Sequence, residues 1–482
     1  MRLRTIQRIL GLLLALFSIT LLPSTVISWW TQDGALRPFL LAFVITLGSG
    51  LLLWLPVYKV RQELRLRDGF MVVVLFWTAL SLSGAIPLML AEHPHMHLAD
   101  ALFESMSGLT TTGATVLTGI DALPRSILFY RQQLQWMGGM GIIVLAVAIL
   151  PMLGIGGMQL YRAETPGPMK DAKLTPRIAE TAKALWYIYL GMTIACALGY
   201  WLAGMTSFDA IGHSFATVST GGFSTHDLSI GYFDSRTIET IATFFSFFAG
   251  VNFSLHYLGW RGLSLKAYFR DAEFRTYLTV ITGTSLLTIA YLVWTGTYSL
   301  DFAIRHGIFQ TVTIATSTGF GTTSFAAWPG FIPVLLLFAS FIGGCAGSTG
   351  GGIKVIRILL LYRQGKREIR RLIHPNGIIP IKIGGRPVPD RIIDAVWGFF
   401  ATYVVVFAAL MLGLMATGLD QVTAFSAIAA CINNLGPGLG AVSSDYGSLS
   451  DTAKYLLTLA MLLGRLEIFT LLVLLSPAYW RS

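Results

Sequence analysis

The chain has 482 residues, of which 54% are hydrophobic and only 12% are charged, and its mean hydropathy is +0.67. So apolar a composition excludes a soluble enzyme and predicts a helical integral membrane protein with no nucleic-acid partner. The formal net charge of +10 suits contact with anionic membrane lipid.

Apolar runs long enough to cross a hydrocarbon core, roughly 20 residues each, recur along the whole chain. They predict ten membrane spans, at about 9–30, 36–58, 70–91, 127–150, 184–204, 237–258, 276–295, 331–360, 392–417 and 452–476. No small-residue cleavage site follows the first run, which is therefore predicted to be a retained anchor. Cys196, Cys345 and Cys431 have no paired spacing and indicate neither a disulfide nor a metal site.

Most of the basic residues lie in every second connection between consecutive spans. If the N-terminus is cytoplasmic, the inner segments and the equally cytoplasmic C-terminus carry 27 of the 34 Lys and Arg residues, as the positive-inside rule requires. The outer face is then acidic, which concentrates cations and predicts a cation as the substrate. The inner run YRQGKREIRR (362–371) indicates contact with anionic lipid or a docking surface for an acidic partner.

Four segments too short to cross the membrane separate the later spans in pairs. They are ADALFESMSGLTTTGAT (99–115), FDAIGHSFATVSTGGFS (208–224), LDFAIRHGIFQTVTIATSTGFGT (300–322) and LDQVTAFSAIAACINNLGPG (419–438). Each opens near an Asp, is predicted to form a short helix, and ends in a cluster of Thr, Ser or Asn with Gly. The separations from Asp100 to Gly113 and from Asp209 to Gly222 are both 13 residues.

This repetition predicts an all-α integral membrane protein with four pseudo-symmetric repeats of helix, pore helix and helix, similar to a K⁺ channel. Two extra transmembrane helices precede the repeats. The predicted segments are 1–68 for the N-terminal pair of helices, 69–182 for the first pore repeat, 183–275 for the second, 276–390 for the third with a glycine-rich intramembrane loop, and 391–482 for the fourth.

Irregular backbone at membrane depth must be buried in protein or line a water-filled path. Four such loops on one axis would present rings of carbonyls that replace the hydration shell of a monovalent cation, with glycine supplying the dihedrals that align them. The short helices would direct their negative C-terminal ends to the same cavity. Small residues more often mediate helix packing, which would explain one such loop but not four in matching positions.

The eighth predicted span contains GGCAGSTGGGIK (343–354), where no stable helix is expected. We expect this loop to lie under the pore loops and to gate them, through Gly343, Gly344, Gly347, Gly350, Gly351, Gly352 and Lys354. Arg465 is the one Lys or Arg predicted deep in a span, and such a charge is a functional candidate. A pair with Glu467 is disfavoured because residues two apart point to different faces.

Other motifs have weaker interpretations. GSTGGGIK lacks the spacing and the Ser or Thr of a phosphate-binding loop. Ser348 with His256 would suit an intramembrane hydrolase only if the two side chains faced each other. Asn252 and His256 are predicted to form interhelical hydrogen bonds, and His93, His95 and His97 are predicted to lie on an exposed loop.

The segments TTTGAT, STGGFSTHD, TSTGFGT and NNLGPGLG, together with GGCAGSTGGGIK and GRLEIFT (464–470), resemble the Trk/Ktr/HKT superfamily of potassium transporters over essentially the whole chain. The two extra N-terminal spans resemble the bacterial TrkH/TrkG type. The resemblance implies a transporter, not an enzyme, with K⁺ as the substrate ion, no cofactor and no metal besides K⁺ at the filter.

The resemblance further implies a homodimer in the bacterial inner membrane and a cytosolic, nucleotide-binding regulatory subunit of the TrkA type. A sodium-permeable or proton-coupled transporter of the same fold stays open as an alternative. Carried over by position, the K⁺ filter consists of Thr111, Thr112, Gly113, Thr220, Gly221, Gly222, Ser317, Thr318, Gly319, Asn434, Leu435 and Gly436. The matching arginine, Arg465, is expected to limit cation flux.

Overall fold

The computed structural model describes residues 2–60, 62, 66–144 and 178–481. Within that part of the chain, six helical segments are long and apolar enough to cross a membrane, and two bent helix pairs would each add one crossing. The predicted class of helical membrane protein is therefore confirmed. The predicted span over 127–150 begins as a helix at Arg125, and its residues beyond Val144 lie outside the described part of the chain.

The helices of the N-terminal half, with labels in chain order, are α1 (Leu3–Ile19), α2 (Leu22–Thr31), α3 (Leu36–Trp54), α4 (Leu66–Leu90), α5 (Leu98–Leu109), α6 (Arg125–Val144), α7 (Ile178–Leu202), α8 (Ser207–Val218), α9 (Arg236–Ala249), α10 (Phe253–Gly262) and α11 (Lys266–Arg270). Those of the C-terminal half are α12 (Ala272–Trp294), α13 (Leu300–Ala315), α14 (Ile332–Ile342), α15 (Val355–Ile373), α16 (Asp390–Ala416), α17 (Gln421–Ile432), α18 (Asp451–Arg465), α19 (Phe469–Leu475) and α20 (Pro477–Trp480). A short antiparallel hairpin is an exception to the all-α prediction. Its two strands, β1 (Lys382–Ile383) and β2 (Arg386–Pro387), have two residues each.

The four predicted short helices are α5, α8, α13 and α17, and each is too short to cross a membrane. Their starts are set by residues with extended backbone at the N-cap. The Thr206 hydroxyl accepts from the amide of Asp209, and the Asp420 carboxylate accepts from the amide of Val422. Such caps satisfy amides that have no partner within the helix. Helices α4, α7, α12 and α16 precede them, but the exact division into five segments remains a prediction.

Two of the spans predicted to be continuous helices are each broken into two helices. Helices α9 and α10 meet at 98°, and helices α18 and α19 meet at 113°. At the first break, the Asn252 side chain caps α10, and the carbonyl of Gly250 accepts from the amide of Cys345. At the second, Glu467 and Ile468 are both left-handed, with φ of 54° and 57°. The predicted interruption of a third span is confirmed, because residues 343–354 separate α14 from α15.

The largest apolar cluster joins the N-terminal helices to the first and last repeats. Phe39, Trp77, Phe103, Tyr446 and Met461 are all buried in it. The amide of Tyr446 also donates to the carbonyl of Thr115. This packing places the N-terminal and C-terminal helices side by side.

Candidate functional site

The four glycine loops that follow α5, α8, α13 and α17 have the same backbone conformation. In each, a left-handed residue stands two positions before a left-handed glycine. The first members are Thr111, Thr220, Ser317 and Asn434, with φ of 54°, 53°, 58° and 51°, and the glycines are Gly113, Gly222, Gly319 and Gly436, with φ of 79°, 82°, 80° and 97°. The residues between them are outside the left-handed region, and this alternation turns successive carbonyls towards the same side.

The four loops contact one another in a closed cycle. A Cβ atom on Gly113 would overlap the carbonyl oxygen of Gly221, and one on Gly222 would overlap that of Thr318. In the same way, Gly319 faces the carbonyl of Leu435, and Gly436 faces that of Thr112 at 2.7 Å from the Cβ position. Only glycine fits at these four positions, both for φ and for space.

The contacts of this cycle involve eight of the twelve residues that the sequence predicted for the filter, and the other four, Thr111, Thr220, Ser317 and Asn434, lie in the same loops. The carbonyl oxygens of Thr112, Gly221, Thr318 and Leu435 occupy equivalent places in it. A ring of backbone carbonyls is a donor set that can replace the hydration shell of a monovalent cation.

Hydroxyl and amide side chains brace the loops from behind. The hydroxyls of Thr110 and Thr112 are 2.7 Å apart, and those of Thr316 and Thr318 are 2.8 Å apart. Asn434 donates to the Thr112 hydroxyl over 3.0 Å and thereby ties the fourth loop to the first. These side chains therefore support the backbone of the loops.

A buried ion pair lies behind the first and second loops and was not predicted. Arg131 is 1% exposed, and its Nε lies 2.7 Å from Oε1 of the fully buried Glu104. Glu104 also accepts from the Thr115 hydroxyl, and Arg131 donates to the carbonyl of Ser224 over 3.3 Å. The only signal in the sequence was two opposite charges in apolar segments.

The intramembrane loop, residues 343–354, contacts the C-terminal ends of the short helices. The Thr349 hydroxyl lies within 3.2 Å of the carbonyls of Val218 and Ala249 and of the Thr220 hydroxyl. The amide of Gly351 donates to the Ser317 hydroxyl over 2.5 Å. The predicted gate glycines Gly343, Gly344, Gly347, Gly350, Gly351 and Gly352 all lie in this loop, and a Cβ atom on any of them would crowd neighbouring atoms.

Two basic side chains hold the same loop. Lys354 is left-handed and donates from Nζ to the carbonyl of Gly350. Arg465 donates to the carbonyl of Thr349 over 3.3 Å and to that of Gly138 over 2.9 Å, and its guanidinium carbon lies 5.6 Å from the ring centre of Trp77.

Arg465 therefore binds backbone carbonyls of the loop and of α6. The disfavoured pair with Glu467 does not form, since Glu467 instead lies 2.5 Å from Arg357. Arg465 is not alone in being buried within the protein, because Arg131 and Arg357 are buried as well. Both lie near the ends of predicted spans, where the hydropathy pattern did not separate them from the adjoining loops.

Basic residues near the start of the short helices are paired with carboxylates. Arg305 lies 2.7 Å from Glu239 and 2.8 Å from Asp234. Arg236 pairs with Asp301, and Lys454 pairs with Asp100. The positive charge of Arg236, Arg305 and Lys454 is thus cancelled locally, which favours the approach of cations.

The hydrolase alternative does not fit the structure. The Ser348 hydroxyl donates to the carbonyl of Cys345, while the two ring nitrogens of His256 are 2.8 Å from the Tyr268 hydroxyl and 2.9 Å from the carbonyl of Phe248. Serine and histidine therefore form no nucleophile and base pair. Asn252 caps its own helix, so the predicted interhelical hydrogen bond of that residue is wrong.

A helical membrane protein in which four short helices and glycine loops enclose a ring of carbonyls is a pore-loop transport protein. Residues 36–482 match the family model described as TrkH, cation transport protein, and the chain belongs to this family. The resemblance stated from the sequence is thereby confirmed, as is the assignment to transporters rather than enzymes.

Relatives extend over the whole chain. It is 57% identical to the Trk system potassium uptake protein TrkH of Vibrio parahaemolyticus, with 100% of both chains covered. It is 44% identical to the Trk system potassium uptake protein TrkG of Escherichia coli, with 99% of both covered. The crystal structure of the potassium transporter TrkH from Vibrio parahaemolyticus matches with a TM-score of 0.93 and 55% identity over 100% of both chains.

Proposed function

We propose that this chain carries potassium ions into the cell across the cytoplasmic membrane, through the ring formed by its four glycine loops. The observation that carries the proposal is the closed cycle in which each filter glycine faces a carbonyl of the next loop. Relatives named as potassium uptake proteins, at 57% and 44% identity over the whole length, support the choice of ion.

In this proposal the cation loses water and is bound by backbone oxygens of the twelve filter residues. Hydration is replaced without covalent chemistry, so no cofactor is needed. The C-terminal ends of α5, α8, α13 and α17 add partial negative charge beneath the ring. Alternation of left-handed residues and glycines supports a common orientation of the carbonyls.

The intramembrane loop serves as the gate of the proposed pathway. Contacts from Thr349 and Gly351 to the ends of the short helices support its place below the ring. Lys354 and Arg465 hold it through hydrogen bonds to its carbonyls. Breaking these hydrogen bonds would allow the loop to move, because glycine has a flexible backbone and no side chain that must be repacked.

We further propose that both termini lie in the cytoplasm of a bacterial cell, that two copies form a homodimer, and that a cytosolic TrkA-type nucleotide-binding subunit regulates the gate. The distribution of basic residues supports this orientation. The helix α15 leads directly from the loop to the basic run 362–371, so a partner or lipid bound there could act on the gate.

Uptake of radioactive rubidium into liposomes containing the purified protein tests the proposal. Wild type and Gly113→Ser are compared with potassium or sodium as competitors. We expect strong competition by potassium, weak competition by sodium, and loss of that difference in the variant. Equal competition by sodium in the wild type would favour a sodium-permeable transporter, and dependence on an imposed pH gradient would favour proton coupling. Lack of uptake with and without the regulatory subunit would contradict the proposal.

A further inference from the structure

The position before the filter glycine carries a side chain in three loops but not in the second. The residue before the filter glycine is Thr112, Thr318 or Leu435 in three loops, but Gly221 in the second. A Cβ atom on Gly221 would overlap the side-chain amide of Gln135, which comes from α6 of the preceding repeat. The space of the missing side chain is therefore occupied by Gln135.

The Gln135 side-chain amide forms hydrogen bonds with the backbone on both sides of Gly222. Its Nε2 donates to the carbonyl of Gly221 over 2.7 Å, and its Oε1 accepts from the amide of Phe223 over 3.1 Å. The side chain is fully buried. Because Phe223 presents a donor and Gly221 an acceptor, the hydrogen bonds also fix the orientation of the amide.

We infer that Gln135 is a positioning residue that determines cation selectivity, acting through the Gly221 carbonyl. This inference rests on the proposed potassium pathway. The Gly221 carbonyl is one of the four that face a glycine of the neighbouring loop. A hydrogen bond from Gln135 engages one lone pair of that oxygen and restrains its movement, so the second loop cannot close around a smaller ion without breaking the bond.

The same helix provides a matched control. Gln133 is 8% exposed, and its Nε2 donates to the carbonyl of Thr20 over 2.9 Å, away from the glycine loops. Gln133 and Gln135 thus share residue type, helix, burial and a hydrogen bond to a backbone carbonyl. They differ in that the carbonyl bound by Gln135 belongs to the filter, and in the second hydrogen bond that Gln135 accepts from the amide of Phe223.

The experiment compares rubidium uptake by wild type, Gln135→Met and Gln133→Met in liposomes, with potassium or sodium as competitor. Methionine keeps the approximate volume but makes neither hydrogen bond. We expect the preference for potassium over sodium to fall roughly tenfold in Gln135→Met, because the buried hydrogen bond to the Gly221 carbonyl is lost, and to stay within about twofold of wild type in Gln133→Met. Unchanged selectivity in Gln135→Met, or an equal loss in both variants, would overturn the inference.

A double variant, Gly221→Thr with Gln135→Ala, separates selectivity from packing and serves if Gln135→Met does not fold. It refills the space from within the loop, as Thr112 and Thr318 do, but provides no donor from α6. Reduced selectivity supports the inference, whereas selectivity equal to wild type shows that Gln135 only fills space. Absence of uptake by the wild type would instead count against the proposed function.

Discussion

Arg465 donates a hydrogen bond to the backbone carbonyl of Thr349, with 3.3 Å between Nη1 and the oxygen. A second bond, from Nη2 to the carbonyl of Gly138, measures 2.9 Å. One side chain thereby ties the intramembrane loop to helix α6. Replacing Arg465 would remove the donor of both hydrogen bonds and so release the loop from α6.

Replacing Arg465 is expected to increase cation flux. In Arg465→Met both hydrogen bonds are lost, and bonds from a charged donor contribute about 1.5–3 kcal/mol each. Rubidium uptake into liposomes should therefore rise roughly tenfold or more. Arg465→Lys keeps the charge without the two-pronged contact and should give an intermediate rate. Unchanged uptake in Arg465→Met that elutes as folded protein would contradict a gating role.

Substitution of a filter glycine is expected to abolish selective uptake. Gly222→Ala places a Cβ atom against the carbonyl of Thr318, whereas Gly296→Ala, at a similar φ of 69°, has no atom within 4 Å of its Cβ position. Both variants carry the strain of a left-handed alanine, of order 1 kcal/mol. Competition between potassium and sodium in a rubidium uptake assay distinguishes them. Equal selectivity of the two variants would show that the contact with Thr318 is unimportant.

Removal of one partner of the Glu104 and Arg131 pair is expected to destabilise the protein strongly. An unpaired buried charge costs about 3–5 kcal/mol, so Arg131→Met should lower the unfolding temperature markedly. Asp301→Asn breaks the pair with Arg236, whose side chains are 60% and 61% exposed, and should cost at most about 1 kcal/mol. Thermal unfolding in detergent measures both variants. A similar shift in the two would argue against burial as the cause.

Asp33, in the connection between α2 and α3, should make stability depend on pH. Burial raises the pKa of its carboxyl, but hydrogen bonds from the Ser28 hydroxyl and the amides of Ser126 and Ala35 outweigh that effect and lower the pKa below 3.8. The stabilisation is then present above pH 3.8 and is lost as the pH falls through the lowered value. Wild type should exceed Asp33→Asn in unfolding temperature at about pH 7, with a smaller difference at about pH 3. A constant difference would contradict this.

The glycine loops could be predicted from the sequence because their signals are local. Each loop combines a short apolar helix, hydroxyl residues and a glycine within one segment, and the segments repeat. The side-chain contacts that support the loops were beyond prediction, since Gln135 and Gly221 are 86 residues apart and Glu104 and Arg131 are 27 apart. Likewise, the only nearby signal for the break at Glu467 and Ile468 is Gly464, and an isolated glycine does not by itself predict a broken helix.

Anomalous X-ray scattering from rubidium in crystals of the purified protein would locate the transported cation directly. We predict a peak on the axis of the four glycine loops, in contact with the carbonyl oxygens of Thr112, Gly221, Thr318 and Leu435. The same crystals of Gly222→Ala should lack it. A protein that transports rubidium but shows its bound ion elsewhere, with no peak between these loops, would contradict the assignment of the pathway.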